Sequence, residues 1–122
     1  VRMAAVYAES LRGIIPVIES GQPSRPPTEL QGFRIGPITL LGTPFEMFRA
    51  IKCEVVEQSS APVTLVMGLT NDANGYAADR TTAARGGYAQ DMVPLMLGVL
   101  PYEDIHTHLV RELLDLESAL RS

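Results

Sequence analysis

The apolar run VTLVMGL, residues 63–69, constrains the fold of this chain more than any other stretch. It is continuous and β-prone, which is typical of a strand buried on both faces of a sheet. A shorter apolar run, PITLL at 37–41, precedes it, and residues 45–58 between the two carry a helical pattern. Strand, helix and strand in this order predict a βαβ unit with parallel strands and a right-handed crossover.

Further elements flank this unit. Residues 3–20 have the apolar spacing of a helix, which we expect Pro16 to kink or end. Residues 28–35 read as a strand, and residues 102–121 form the clearest helix, with an apolar stripe from Ile105 to Leu120. The type of residues 92–101 stays open. The predicted fold class is therefore α/β: a single domain over 1–122, whose mixed sheet contains a parallel βαβ unit between N- and C-terminal helices.

Composition excludes several classes of protein. A net charge of −4 and a pI of about 5.1 do not fit an electrostatic nucleic-acid binder, which needs clustered Lys and Arg. No apolar run reaches the roughly 18–20 residues that span a bilayer. Cys53 is the single cysteine, so no intrachain disulfide forms, and its helical position predicts a buried or half-buried thiol. The sequence does not indicate a compartment.

Polar residues follow both strands of the βαβ unit. The loop at 42–46 and the loop at 70–76 leave the carboxyl ends of parallel strands, and these ends lie at the same edge of a sheet. Glu46 from the first loop should therefore meet Asn71, Asp72, Asn74 and Tyr76 from the second. This convergence depends on the two strands being adjacent and parallel.

Glu46 has two interpretations at this stage. Thr43, Pro44 and Glu46 match a capping box, with Thr43 at the N-cap, Pro44 at the first helical position and Glu46 reaching back. A carboxylate at the carboxyl edge of an α/β sheet is equally a candidate ligand. The local pattern alone favours the cap.

Two other features bear on function. Residues 70–91 are long, polar and rich in Gly and Asn, and loops of this length in compact domains are usually functional or disordered. His106 and His108 stand at i and i+2 of the last helix, so they do not share a face, and we expect both to be solvated rather than metal ligands.

Two longer segments carry a resemblance to a known family. ITLLGTPFEMFRAIK and TLVMGLTNDANGYAADRTTAARGGYAQD are similar to the C-terminal part of the catalytic region of neutral, non-lysosomal ceramidases and their bacterial homologues. That family has a strand ending in Pro-Gly-Glu, then a helix, an apolar strand running into Gly-Leu-x-Asn, a Gly-Tyr pair and a later Gly-Gly-Tyr-Glu. The resemblance covers residues 28–91, and the interval of twelve from Tyr76 to Tyr88 is also the family's.

The resemblance implies a zinc-dependent amidase that cleaves the N-acyl bond of a sphingolipid-like substrate or another amide. By position, Glu46 matches the carboxylate zinc ligand and Tyr76 the tyrosine at the metal. Tyr88 matches the catalytic tyrosine that holds the substrate carbonyl, and Asn71 a loop organiser. The family's two histidine ligands lie on earlier segments, so the resemblance implies that the remainder of the same polypeptide supplies them. This chain would then be the C-terminal portion of a larger hydrolase, inactive by itself.

The sequence departs from the family pattern at two positions. Phe45 stands where the family has glycine before the glutamate, and Ala89 stands where a glutamate usually follows the second tyrosine. Both indicate a divergent branch. The alternative function, from a different class, is a non-catalytic α/β module that binds a partner through residues 70–91 and in which Glu46 is only a cap.

Overall fold

A computed structural model describes residues 2–25 and 27–121. The chain has an α/β fold with helices at both ends, as predicted. The elements in order are α1 (Arg2–Glu19), β1 (Gln31–Ile35), β2 (Ile38–Gly42), β3 (Glu46–Met47), α2 (Arg49–Gln58), β4 (Val63–Met67), β5 (Tyr76–Ala77), α3 (Arg80–Arg85), a π-helical turn (Tyr88–Met92), α4 (Val93–Met96) and α5 (Ile105–Ala119). Residues 92–101, whose type the sequence left open, thus contain the short helix α4.

The predicted βαβ unit is confirmed. β2 and β4 are adjacent and parallel, with Leu40 opposite Leu65, and α2 connects them. β1 pairs antiparallel with β2, so the mixed sheet has the strand order β1-β2-β4. β3 and β5 form a separate two-stranded parallel sheet beyond the carboxyl ends of β2 and β4.

The core lies between the three-stranded sheet and helices α2 and α5. Leu41 of β2, Ile51 and Val55 of α2, and Leu113 of α5 are fully buried in it. The predicted stripe of α5 packs here because its apolar residues repeat every three to four positions. Cys53 lies on the opposite side of α2 and is exposed, so the prediction of a buried or half-buried thiol is wrong.

β4 differs from the prediction that it is buried on both faces. Val63, Leu65 and Met67 are exposed, while Thr64 and Val66 between them are half-buried. The reason is that β4 is an edge strand and that α2 and α5 cover only one face of the sheet. A continuous apolar sequence therefore does not require two covered faces.

Helix α1 packs mainly against α4. It continues through Pro16 to Glu19, so the proline does not end it, although the helix stops within its next turn. Ser10 donates a hydrogen bond to the Leu95 carbonyl and ties the two helices together. Ile14 is the buried residue of α1, and most of its predicted apolar stripe is exposed.

Candidate functional site

The segment after β2 is held by backbone hydrogen bonds to residues far along the chain. The Thr43 N–H donates to the Met67 carbonyl (3.1 Å), and the Thr70 N–H donates to the Thr43 carbonyl (3.0 Å). The Asn74 N–H donates to the Pro44 carbonyl (2.8 Å). These bonds hold residues 43–48 against residues 67–77, the stretch that leaves β4 at the carboxyl edge of the parallel strands.

The capping-box interpretation of Glu46 is wrong. Glu46 lies in β3, and α2 begins only at Arg49, with Phe48 at its N-cap and no capping hydrogen bond from a side chain. Thr43 is fully buried, and its hydroxyl has no hydrogen-bond partner in the described part of the chain. Pairing with distant residues 67–77 supplies the backbone partners that the local box would have provided.

Glu46 and Tyr76 lie side by side, as the strand order predicts. They are register partners in the parallel pair of β3 and β5. The Glu46 N–H donates to the Gly75 carbonyl and the Phe48 N–H to the Ala77 carbonyl, each at 3.0 Å. Thirty positions of sequence therefore separate two side chains that the fold makes neighbours.

Two aromatic rings, those of Phe48 and Tyr88, contact the ring of Tyr76. The centroid of Tyr76 lies 6.1 Å from that of Phe48 and 6.0 Å from that of Tyr88, both in edge contacts. Such contacts favour defined ring positions. Tyr88 is 59% exposed. The sequence predicted the two tyrosines, but the part played by Phe48 was missed.

The segment between the two tyrosines is more ordered than the long polar loop that the sequence indicates. Asp79 caps α3 by accepting a hydrogen bond from the Thr82 N–H at 2.7 Å, and this bond lowers the pKa of Asp79. Beyond α3, the Asp91 carboxylate accepts a hydrogen bond from the Gly87 N–H at 2.6 Å. These contacts bring Tyr88 back towards Tyr76.

The charge of Glu46 acts directly on Tyr76. The Glu46 carboxylate raises the pKa of the Tyr76 phenol above its ordinary value, with smaller contributions from desolvation and from Tyr88. Tyr76 is therefore a neutral hydrogen-bond donor at physiological pH. A carboxylate can bind a divalent cation, and a cation bound at Glu46 would lower the pKa of the Tyr76 phenol and so oppose the effect of the Glu46 charge.

Residues 68–71 turn the chain sharply away from β4. Asn71 and Leu69 have positive φ angles of 62° and 54°, a region that Asn tolerates and Leu rarely adopts. The predicted loop organiser Asn71 thus stands at a turn that its residue type favours. Backbone strain of this kind is concentrated at functional sites.

The departure at Phe45 does not disturb the backbone. Among the described residues, only Leu69 and Asn71 combine a side chain with positive φ, so position 45 does not require glycine. The Phe45 ring is buried and makes an edge contact with Tyr102 at 5.6 Å. Ala89, the other departure, is half-buried in the π-helical turn next to Tyr88.

A surface cleft of about 420 Å³ adjoins Glu46. Val66 and Leu69 give it an apolar wall, and the cations Arg49 and Lys52 lie on its α2 side. Neither cation forms an ion pair with the described residues. The cleft therefore presents both apolar and cationic side chains beside Glu46.

His106 is not solvated as predicted, whereas His108 is exposed. The His106 ring is buried between α2 and α5, where its Nε2 lies 2.9 Å from a Glu54 carboxylate oxygen. Its Nδ1 accepts a hydrogen bond from the Arg80 N–H at 3.2 Å, which assigns the proton to Nε2. His106 has helical spacing with Val110, Leu113 and Glu117 on the buried face of α5. This spacing is the sequence signal that could have predicted the burial of His106.

The described residues hold no cluster of three or more His, Cys, Asp or Glu side chains that could bind a metal ion. Structural and catalytic zinc sites require three or four protein ligands, more than Glu46 and Tyr76 could supply by themselves. In the part of the chain covered by the structure, no helix is long and apolar enough to cross a membrane. Comparisons with protein-family models, with curated proteins and with solved structures find no match for this chain.

Proposed function

We propose that this chain is part of a zinc-dependent amide hydrolase that resembles neutral ceramidases and cleaves the N-acyl bond of a sphingolipid-like or other amide substrate. Glu46 and Tyr76 would contribute two oxygen ligands, and two histidines from the remainder of the polypeptide would complete the site. The observation that carries the proposal is the register pairing of Glu46 with Tyr76 at the carboxyl edge of two parallel strands.

The side chains of the site have distinct roles in this proposal. Bound zinc would polarise the scissile carbonyl and activate water. Tyr88, exposed and in contact with Tyr76, donates a hydrogen bond to the carbonyl oxygen as negative charge develops there. Phe48 and Tyr76 orient each other through their edge contact, which limits the positions that the ligand oxygen can take.

The cleft beside Glu46 supports an amphiphilic substrate. Its apolar wall at Val66 and Leu69 suits a hydrocarbon chain, and Arg49 and Lys52 suit a polar or anionic group at one end. A site for small polar amides would not need this apolar surface. The proposed substrate class is therefore an N-acyl lipid.

The alternative is a non-catalytic module that binds a partner through residues 70–91. Its specific support is the exposure of Tyr88 and of Asn71, whose positive φ angle places it in a tight turn. The coding sequence before Val1 separates the two functions, because only the hydrolase requires two further histidines in strand–loop contexts there.

The test uses the protein encoded by the complete reading frame. Glu46→Gln keeps the size of the side chain and removes its charge, so we expect zinc content far below one equivalent and hydrolysis of a fluorescent N-acylsphingosine reduced by at least about 100-fold. The matched control is Glu57→Gln at an exposed position on α2, which should leave both the zinc content and the rate of hydrolysis unchanged. A Glu46→Gln variant with a full equivalent of zinc and unchanged hydrolysis would end the proposal.

A further inference from the structure

A small cavity lies where three connecting segments meet: the segment between α1 and β1, the loop that follows β4, and the segment that follows α4. Its volume is about 210 Å³. The polar side chains that line it are those of Arg25, Thr28 and Asn74. We call it the Arg25 cavity.

The Arg25 guanidinium is a half-buried cation without a counter-charge among the described residues. Its Cζ lies 3.5 Å from the centre of the Tyr102 ring, which is a cation–π contact. Tyr102 is held in turn by its edge contact with Phe45. The guanidinium therefore stacks on a fixed ring, and its N–H groups point outward in its own plane.

This arrangement leaves the cation incompletely satisfied. Nη2 of Arg25 is buried and has no hydrogen-bond partner in the part of the chain that the structure describes. A buried donor without a partner destabilises the folded state. Burial also lowers the pKa of the Arg25 guanidinium below its ordinary value, because a desolvated cation loses the stabilisation that water provides. A bound anion would relieve both effects.

The remaining groups of the cavity favour a carboxylate. A guanidinium can donate two parallel hydrogen bonds to the planar carboxylate group. The Thr28 hydroxyl and the Asn74 amide can donate further hydrogen bonds to the same oxygens. Leu97 and Val99 give the cavity an apolar wall, which suits the short hydrocarbon part of an organic acid better than a fully hydrated ion such as phosphate.

We propose that the Arg25 cavity binds a carboxylate on a short apolar stem, held by the Arg25 guanidinium. Two sources have this chemistry: a free small carboxylic acid, and an Asp or Glu side chain elsewhere in the polypeptide of the complete reading frame. The inference does not depend on the proposed hydrolase activity, because none of these side chains has a role in the proposed zinc site.

The test is an NMR titration of the 122-residue chain with propionate, which replaces chloride at constant ionic strength. We expect saturable shifts of the side-chain N–H signals of Arg25 and Asn74, with a dissociation constant of about 1–10 mM. Arg25→Gln removes the charge and should raise this constant at least about 10-fold, followed at the Asn74 amide. The matched control is Arg34→Gln, at an exposed arginine of β1 that also lacks a carboxylate partner among the described residues; it should leave the constant unchanged.

Asn74→Ala is the second variant, for the case that far-UV circular dichroism shows Arg25→Gln to be unfolded. It keeps the backbone N–H that residue 74 donates to the Pro44 carbonyl and removes one donor to the carboxylate. We expect the dissociation constant to rise at least about threefold, followed at the Arg25 N–H signals.

Several results would overturn the proposal. One is the absence of saturable shifts at Arg25 and Asn74 up to about 100 mM propionate, well above the expected dissociation constant. Another is binding that the folded Arg25→Gln or Asn74→Ala variant leaves unchanged, or that Arg34→Gln weakens as much. Tighter binding of inorganic phosphate than of propionate would contradict the choice of a carboxylate.

The protein encoded by the complete reading frame distinguishes the two sources. Saturation-transfer NMR of the propionate methyl protons measures binding to it. Binding that persists there and that Arg25→Gln weakens assigns the cavity to a free acid. Binding that is lost there but present in the 122-residue chain assigns the cavity to a carboxylate of the same polypeptide.

Discussion

Gly68 determines how closely two segments approach beside the candidate ligand. A Cβ at this position would lie 2.7 Å from the Phe45 carbonyl oxygen, a backbone atom that cannot move as a flexible side chain can. The same carbonyl accepts a hydrogen bond from the Leu69 N–H at 3.2 Å. The absence of a side chain at Gly68 therefore keeps Glu46, the residue after Phe45, against the end of β4.

Gly68→Ala should separate these segments. We expect the free energy of unfolding to fall by about 1–3 kcal/mol, because the added methyl group disrupts the bond between Leu69 and Phe45. Gly13→Ala is the matched control: Gly13 lies inside α1 with nothing within 4 Å of its Cβ position, so alanine should stabilise the chain by about 0.5–1 kcal/mol. Urea unfolding measures both. Equal effects of the two substitutions would show that the approach at Gly68 is not tight.

A polar cluster joins α2, the start of α3 and the start of α5. Glu54 accepts hydrogen bonds from the Arg80 guanidinium at 2.9 Å and from His106 Nε2 at 2.9 Å. Thr107 also contacts Arg80. The Arg80 bond, followed by those to His106, lowers the pKa of Glu54 below its ordinary value. The three helices thus share one carboxylate.

The lowered pKa of Glu54 makes the free energy of unfolding depend on pH in the acidic range. Because the native pKa lies below the unfolded one, ionised Glu54 stabilises the fold at neutral pH, and this stabilisation is lost as the pH falls through the native pKa. Between about pH 5 and about pH 3, the free energy of unfolding should fall more steeply in the wild type than in Glu54→Gln. Urea unfolding at several pH values measures the slopes, with Glu57→Gln as the control. Parallel slopes for wild type and Glu54→Gln would contradict the cluster.

The elements differ in how far local sequence determines them. α5 could be predicted because its apolar residues repeat with helical spacing over fifteen positions and Asp104 supplies its cap. The start of α2 could not, because Thr43, Pro44 and Glu46 have the residue types of a capping box while their backbone groups pair with residues 67–77. Hydrogen bonds to partners far away in the sequence, not the local helix preference, therefore determine the backbone conformation there.

The candidate site could be predicted only in outline. The order of strands and helix placed Glu46 near Tyr76, since the carboxyl ends of parallel strands meet at one edge. The short sheet of β3 and β5, the ring of Phe48 and the close approach at Gly68 depend on contacts that no local pattern encodes. The exposure of Val63, Leu65 and Met67 on one face of β4 was missed for a related reason: apolar strands look alike in sequence whether one or both of their faces are covered within the chain.

The candidate site requires Glu46 and Tyr76 to be neighbours, which only the complete fold makes possible. Tyrosine-selective ¹³C NMR titration of the chain tests this most directly, because the Glu46 charge raises the pKa of the Tyr76 phenol. Glu46→Gln should lower that pKa towards its ordinary value, and Asp72→Asn, which removes a charge from the same loop, should leave it unchanged. A Tyr76 pKa that is ordinary in the wild type and does not respond to Glu46→Gln would contradict the shared site.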